Sequence, residues 1–280
     1  PELDRAARER VQLQAELRRA LERDEFVVHY QPRVQPRDGR ILSAEALIRW
    51  QHPERGLLYP GAFIDVAESS GLIDEIGRWV LEAACVQAAA WRREGMPLRR
   101  ISVNLSTRDL LDQDLPAKLE RLLLKHRVPA EAFCLEITES AIMDDPDRSL
   151  ETLKRLSGMG FKLSIDDFGT GHSSFAQLGN LPVDELKIDR SFVMSMESDP
   201  KQARIVQSII DMAHTLDLTV VAEGVEDAKA WDLLRDLRCD QAQGYHMGKP
   251  MPANDFLAWS ARWVERRRMP GAAATTTLLH

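Results

Sequence analysis

The chain has 280 residues, 44% hydrophobic and 29% charged, a balance that suits a folded globular protein and excludes a disordered one. Its 37 basic and 44 acidic residues leave a net charge of −7 with no basic block, which argues against binding long nucleic acid by phosphate neutralisation. No apolar run is long enough for a membrane span, and the three scattered cysteines (Cys85, Cys134, Cys239) fit a reducing cytoplasm better than a disulfide scaffold or a zinc ribbon.

From the N-terminus, residues 3–23 place Leu13, Leu17, Ala20 and Leu21 near helical spacing. They predict an amphipathic helix that continues from an upstream module and packs on the domain after it. The chain opens without a methionine, as a piece of a longer protein would. Residues 26–34 and 41–50 read as strands joined by Arg37-Asp38-Gly39-Arg40, a hairpin turn that makes the first two strands antiparallel.

Helical and strand patterns then alternate. Helices at 60–70 and 72–93 precede a strand at 100–105, and a helix at 109–126 precedes a strand at 133–137. A helix at 148–158 leads to a strand at 161–165, and a short segment after Ser173 leads to one at 185–188. Further helices at 201–216 and 228–237 lead to strands at 219–222 and near 242–246, and a helix at 254–267 closes the pattern. Eight strands with helices between them predict an α/β fold, a (β/α)₈ TIM-type barrel with an antiparallel first strand. No Pro/Gly/Ser-rich linker supports the two-domain alternative. The expected organisation is a linking helix over 1–24, a barrel over 25–268 and a disordered tail over 269–280.

Strand side chains alternate faces, so charged residues can be sorted by parity. Glu45 and Arg49 share one face while Ala44, Ala46 and Ile48 take the other. Asn104, Glu136, Asp166, Lys187 and Glu223 each stand opposite, or just past, an apolar series in their own strand. Six strands thus aim polar groups at one interior, near the C-terminal ends where barrel enzymes keep their sites. Each residue alone has a bland reading: Asp166-Asp167-Phe168-Gly169 as a turn, Asn104 as a helix cap. Together they do not. Glu45, Glu136, Asp166, Asp167 and Glu223 oppose only Lys187, and carboxylates ~4 Å apart repel by roughly 4 kcal/mol per pair at an effective dielectric near 20. Divalent cations would balance them. Oxygen donors without His or Cys select Mg²⁺ or Mn²⁺, and a pair of such ions is a device for displacement at phosphorus.

The segments Tyr30-Gln31-Pro32, Glu45-Ala46-Leu47-Ile48-Arg49-Trp50, Ser102-Val103-Asn104-Leu105-Ser106 and Leu135-Glu136-Ile137-Thr138-Glu139-Ser140 occur in order. Ile165-Asp166-Asp167-Phe168-Gly169-Thr170-Gly171, Leu186-Lys187-Ile188-Asp189, Ala222-Glu223-Gly224-Val225-Glu226 and Gln243-Gly244-Tyr245 come after them. The series resembles the EAL domain family of cyclic di-GMP phosphodiesterases. The resemblance implies cleavage of one phosphodiester of cyclic di-GMP to linear pGpG, with two Mg²⁺ or Mn²⁺ ions per site. It implies Glu45, Asn104, Glu136 and Asp166 around the first metal, and Asp166, Asp167 and Glu223 around the second. Lys187 would contact the attacking water or hydroxide, with Gln243 helping to position it. Gln31, Arg49 and Glu226 would touch substrate, Arg49 through a phosphate. Glu139, of the wrong parity to share the face of Glu136, would brace the 167–174 loop, in which His172 has no assigned role.

The resemblance further implies homodimers and an upstream signalling module, a GGDEF or a sensor domain. The location would be cytoplasmic, in a full-length protein that can be membrane-attached through a segment outside this chain. Two rival functions remain on sequence alone. One is a catalytically weak cyclic di-GMP-binding sensor module; the other is a metal-dependent barrel enzyme using Lys187 as a base or Schiff-base nucleophile. The complete ligand set favours hydrolysis over both.

Overall fold

The chain is described by a computed structural model at residues 2–96, 98–169 and 178–268. The expected tail, His172 and most of the 167–174 loop lie outside those residues. Strands β1 (Phe26–Val34) and β2 (Ile41–His52) form the hairpin. Gly39 supplies the positive φ of its turn (59°), and the Asp38 carboxylate accepts from Arg40 N at 3.0 Å. A short strand β3 (Gly56–Leu58), absent from the sequence-based expectation, folds back on β2.

Strands β4 (Arg100–Asn104), β5 (Phe133–Thr138), β6 (Lys162–Phe168), β7 (Glu185–Ile188), β8 (Thr219–Ala222) and β9 (Gln241–Gln243) then add in parallel after β2. β9 closes the sheet antiparallel to β1 through Arg33↔Gln243 and Val34↔Ala242. The result is an eight-stranded barrel in which β1 runs against both of its neighbours.

Helices clothe the barrel because their apolar stripes face it. Helix α1 (Glu2–Glu22) buries Leu17 and Ala20 and packs Leu13 and Leu21 on the core, the stripe expected from sequence. Next come helices α2 (Ile64–Ser70) and α3 (Ile73–Arg93), the second burying Ile73, Ile76, Val80, Ala84 and Trp91. The single helix predicted at 109–126 is two, α4 (Thr107–Leu110) and α5 (Leu115–His126). Ser106 and Asp109 form a capping box that starts α4 early, and the Asp112 carboxylate turns the chain by accepting from Asp114 N at 2.9 Å. Ser106, not Asn104, is therefore the cap.

Helices α6 (Glu139–Asp144), α7 (Pro146–Gly158), α8 (Arg190–Ser195), α9 (Pro200–Thr215), α10 (Ala228–Asp236) and α11 (Ala253–Arg268) complete the cover. α6 and α8, each six residues long, are not among the elements expected from sequence. They start where Thr138 and Asp189 cap the ends of β5 and β7. Strand β9 ends sooner than expected, because His246 N donates to Val225 O instead of joining a ladder. Among the described residues no helix is long and apolar enough to cross a membrane.

Pairs of residues two apart give the barrel interior two rings. The outer ring, toward the C-terminal ends, is Gln31, Glu45, Asn104, Glu136, Asp166, Lys187, Glu223 and Gln243. The inner ring beneath it is Arg33, Ser43, Ser102, Cys134, Ser164, Glu185, Val221 and Gln241. Because β1 is reversed, its outer residue comes first: Gln31 pairs with Glu45, and Arg33 with Ser43. Barrel interiors are commonly filled by Val, Ile and Leu. Here most inner-ring residues are polar or small.

Candidate active site

The outer ring converges on Lys187, whose side chain is 1% exposed. Its ammonium Nζ lies 2.7 Å from Glu136 Oε2, 2.8 Å from Asp166 Oδ2, 2.7 Å from Glu223 Oε1 and 3.9 Å from Glu45 Oε1. Glu45 is held from both sides. Asn104 Nδ2 donates to Oε1 at 2.8 Å, and Gln243 Nε2 donates to Oε2 at 2.5 Å. Gln243 Nε2 also reaches Gln31 Oε1 at 2.9 Å.

Asp166 and Asp167 would face opposite ways on a regular strand. They do not, because the β6–β7 register slips between Ile165 and Phe168, and Asp167 takes φ 54°. This bulge re-aims the second carboxylate. Asp166, Asp167 and Glu223 consequently each offer an oxygen, all within 4.8 Å of one another. An all-oxygen trio at that spacing fits a hard divalent cation.

Charge and burial set the protonation of the cluster. Burial pushes Glu45 up, but Lys187, Arg33, Gln243 and Asn104 more than offset it and leave it near 2. For Glu136 burial prevails over Arg33 and Lys187, with Glu45 and Asp166 adding repulsion, and the group rises to about 7. Glu223 rises to about 7 in the same way, burial outweighing Lys187. Asp167 is raised by burial and by Asp166. Lys187 is driven well above its ordinary value, burial notwithstanding, by Glu136, Glu45, Glu223 and Asp166.

The sequence-based charge balance sets Lys187 alone against five carboxylates. A second cation is present: Arg33, fully buried, contacts Glu45 and Glu136 from below. Sequence reasoning missed it, although it shares the parity of Gln31.

Above the ring opens a cleft of about 480 Å³, a size usual for small-ligand sites. Gln31, Glu45, Asp166, Lys187, Glu223 and Gln243 floor it, and the exposed Glu226 stands at its wall. Arg190, at the start of α8, and Tyr245, 55% exposed, also line it. Neither carries a role in the sequence analysis. Gly244 permits the wall's tight join, since a Cβ there would fall 2.1 Å from Val225 O.

Two expected site residues lie elsewhere. Arg49 is buried, does not line this cleft, donates from Nη1 to Ile48 O at 2.7 Å, and stacks its guanidinium 4.8 Å over Tyr59. Glu139 opens α6, buried beside Ile142, Ile165 and Phe168 and away from the inward face, as parity required.

An all-oxygen acidic cluster at the C-terminal mouth of a barrel, under an open cleft, defines a divalent-metal site of hydrolase type. The EAL domain family model matches residues 14–250, and the chain belongs to that family, whose phosphodiesterases use divalent metal. The bifunctional diguanylate cyclase/cyclic di-GMP phosphodiesterase MucR of Pseudomonas aeruginosa is 45% identical over 252 residues, 90% of this chain and 37% of that protein. The cyclic di-GMP phosphodiesterase PdeR of Escherichia coli is 40% identical over 266 residues, 95% of this chain and 40% of that protein. The structure of a MucR phosphodiesterase in complex with c-di-GMP superposes with a TM-score of 0.84 at 45% identity, covering 88% of this chain and 99% of that one. The chain thus spans well under half the length of these two curated relatives.

Proposed function

We propose that this domain hydrolyses one phosphodiester bond of cyclic di-GMP to give linear pGpG, lowering a bacterial second messenger. The observation that carries the reading is the crowded oxygen-donor ring at the floor of the cleft, on a chain of this family. Glu45, Asn104, Glu136 and Asp166 would hold one Mg²⁺ or Mn²⁺, and Asp166, Asp167 and Glu223 a second. The ions, when bound, would lower the pKa of water and neutralise charge on the phosphate.

The chain's own residues do the remaining work. Lys187, charged and locked by three carboxylates, presents fixed positive charge where negative charge develops in an in-line displacement of the ribose 3′-oxygen. Gln243 orients Glu45 and, with Gln31, offers hydrogen bonds at the floor of the cleft. Arg190 and Tyr245 supply a cation and an aromatic face on the wall, suited to a phosphate and a base respectively. Glu226 would accept from a guanine edge. Arg49 would reach a phosphate only by leaving Ile48 O.

We assign residues 1–24 to a linking helix, 25–268 to the catalytic barrel and 269–280 to a tail. The domain would act as a homodimer, coupled to an upstream GGDEF or sensor module. Three free cysteines, all buried, favour a cytoplasmic setting. Chromatography of cyclic di-GMP with and without Mg²⁺ tests the function. Metal-dependent appearance of pGpG is expected, whereas tight binding without turnover would make the domain a sensor module.

A further inference from the structure

Directly beneath the outer ring, the Arg33 guanidinium fills the barrel axis and is completely inaccessible to solvent. The inner-ring residues Ser43, Ser102, Cys134 and Ser164 are small, and that is what leaves room for so long a side chain. Each guanidinium nitrogen is engaged. Nε donates to Gln243 Oε1 at 2.6 Å; Nη1 donates to Ser102 Oγ at 2.8 Å and to Glu185 Oε1 at 3.2 Å. Nη2 lies 2.5 Å from Glu136 Oε1 and 3.4 Å from Glu45 Oε2, ionic contacts outside hydrogen-bond geometry. Glu185 is held in turn by Gln241 Nε2 at 2.9 Å, and Gln241 by Ser43 Oγ at 3.1 Å.

The contacts divide each upper carboxylate. Glu136 gives Oε1 to Arg33 and Oε2 to Lys187; Glu45 turns Oε2 toward Arg33 and Gln243, and Oε1 toward Asn104 and Lys187. Arg33 therefore fixes the inner oxygen of both carboxylates and aims the outer one at the cleft. Through Gln243 it sets a third member of the ring. A planar fork does this and a point charge does not. A buried carboxylate also remains ionised only beside a cation, and Arg33 is the cation on the side away from solvent.

We infer that Arg33, anchored from below by Glu185, is a positioning residue that presents Glu45, Glu136 and Gln243 to the metal and substrate. The inference rests on the proposed function only in taking the outer ring as the metal site. Its main test is calorimetric titration of the nucleotide-free protein with Mg²⁺, which does not depend on turnover. Arg33→Met should weaken Mg²⁺ binding about tenfold, the scale on which groups behind metal ligands act. It should also move the acid limb of the kcat profile to higher pH, while KM for cyclic di-GMP changes less than about twofold. Arg33→Lys keeps the charge and loses the fork, so it should hold the acid limb in place and recover part of the Mg²⁺ affinity.

If Arg33→Met fails to fold, Arg33→Lys carries the test, with Mg²⁺ affinity about threefold below wild type. Wild-type Mg²⁺ affinity in the variant that folds, whatever its melting temperature, overturns the inference. Wild-type protein that binds Mg²⁺ but leaves cyclic di-GMP intact overturns the proposed reaction and leaves the role of Arg33 standing. Wild-type protein that binds no Mg²⁺ overturns both.

Discussion

The two rings of the barrel interior use similar residues under opposite conditions. Below, Arg33 and Glu185 meet as a buried pair, supported by Ser102 and Gln241 in a setting closed to water. Above, five carboxylates surround Lys187, with Arg33 their only other cation among the described residues, and Glu136 and Glu223 are pushed up to about 7 by burial. The inner ring is balanced by its own residues; the outer ring is balanced only by protons or added cations. Buried ion pairs are common structural devices, but an unbalanced cluster under a cleft costs stability that packing alone does not require. That imbalance marks where chemistry is done.

Substitutions in the two rings should therefore fail in different ways. Glu45→Ala removes an acceptor of Asn104 and Gln243 from the outer ring and should lower pGpG formation about a thousandfold, or about 4 kcal/mol. Because it also relieves crowding, its urea midpoint should stay close to that of wild type. A variant keeping a tenth of the rate with unchanged unfolding would remove Glu45 from the ligand set. Glu185→Ala should do the reverse, leaving Arg33 without its lower partner and costing about 3 kcal/mol of stability in urea unfolding. Unchanged stability in that variant would mean the inner pair is not structural.

A pH titration without divalent ions sharpens the contrast. Glu136 and Glu223 bind protons more tightly folded than unfolded, so the stabilisation from protonation is full below the unfolded carboxylate range and is lost as pH rises through about 7. Glu45, lowered to about 2, acts in the opposite sense only at still more acid pH. The chelated protein should melt at a progressively lower temperature between about pH 5 and 8. Added Mg²⁺ should flatten or reverse the trend, because ligands bind metal deprotonated. A melting temperature that rises with pH in the chelated protein would contradict the cluster's protonation.

The contrast between rings also explains what could be read from sequence. Parity alone places Glu45, Glu136 and Lys187 inward, and strand alternation yields the barrel. Asp167 needs a bulge at positive φ, which comes from the β6–β7 register and not from any local pattern. Arg33 carries a legible signal, two residues from Gln31, yet a lone arginine in a strand cannot be told from a solvated one until the small residues across the barrel are known. α6 and α8 are short capped helices with too few turns for a periodicity. Arg190 reaches the cleft only because Asp189 caps such a helix directly after β7.

The smallest effect is expected outside both rings, at Glu139. It lies beside Ile165 and Phe168, the residues that bracket Asp166 and Asp167 on β6, and it starts the helix leaving β5. It can thus act on the metal ligands by holding the bulge from behind, without touching the cleft. Cutting it back to alanine leaves space against β6, and the strained Asp167 conformation is then free to relax toward regular strand geometry. Relaxation would swing one carboxylate out of the trio while Asp166 stays pinned to Lys187. Glu139→Ala should accordingly raise the Mg²⁺ concentration for half-maximal rate several-fold, with the rate at saturating Mg²⁺ reduced less and the melting temperature lowered by only a few degrees. Measured together, these quantities separate two roles: a changed Mg²⁺ requirement marks support of the ligand bulge, whereas a large melting shift at unchanged Mg²⁺ requirement marks a purely structural cap on α6.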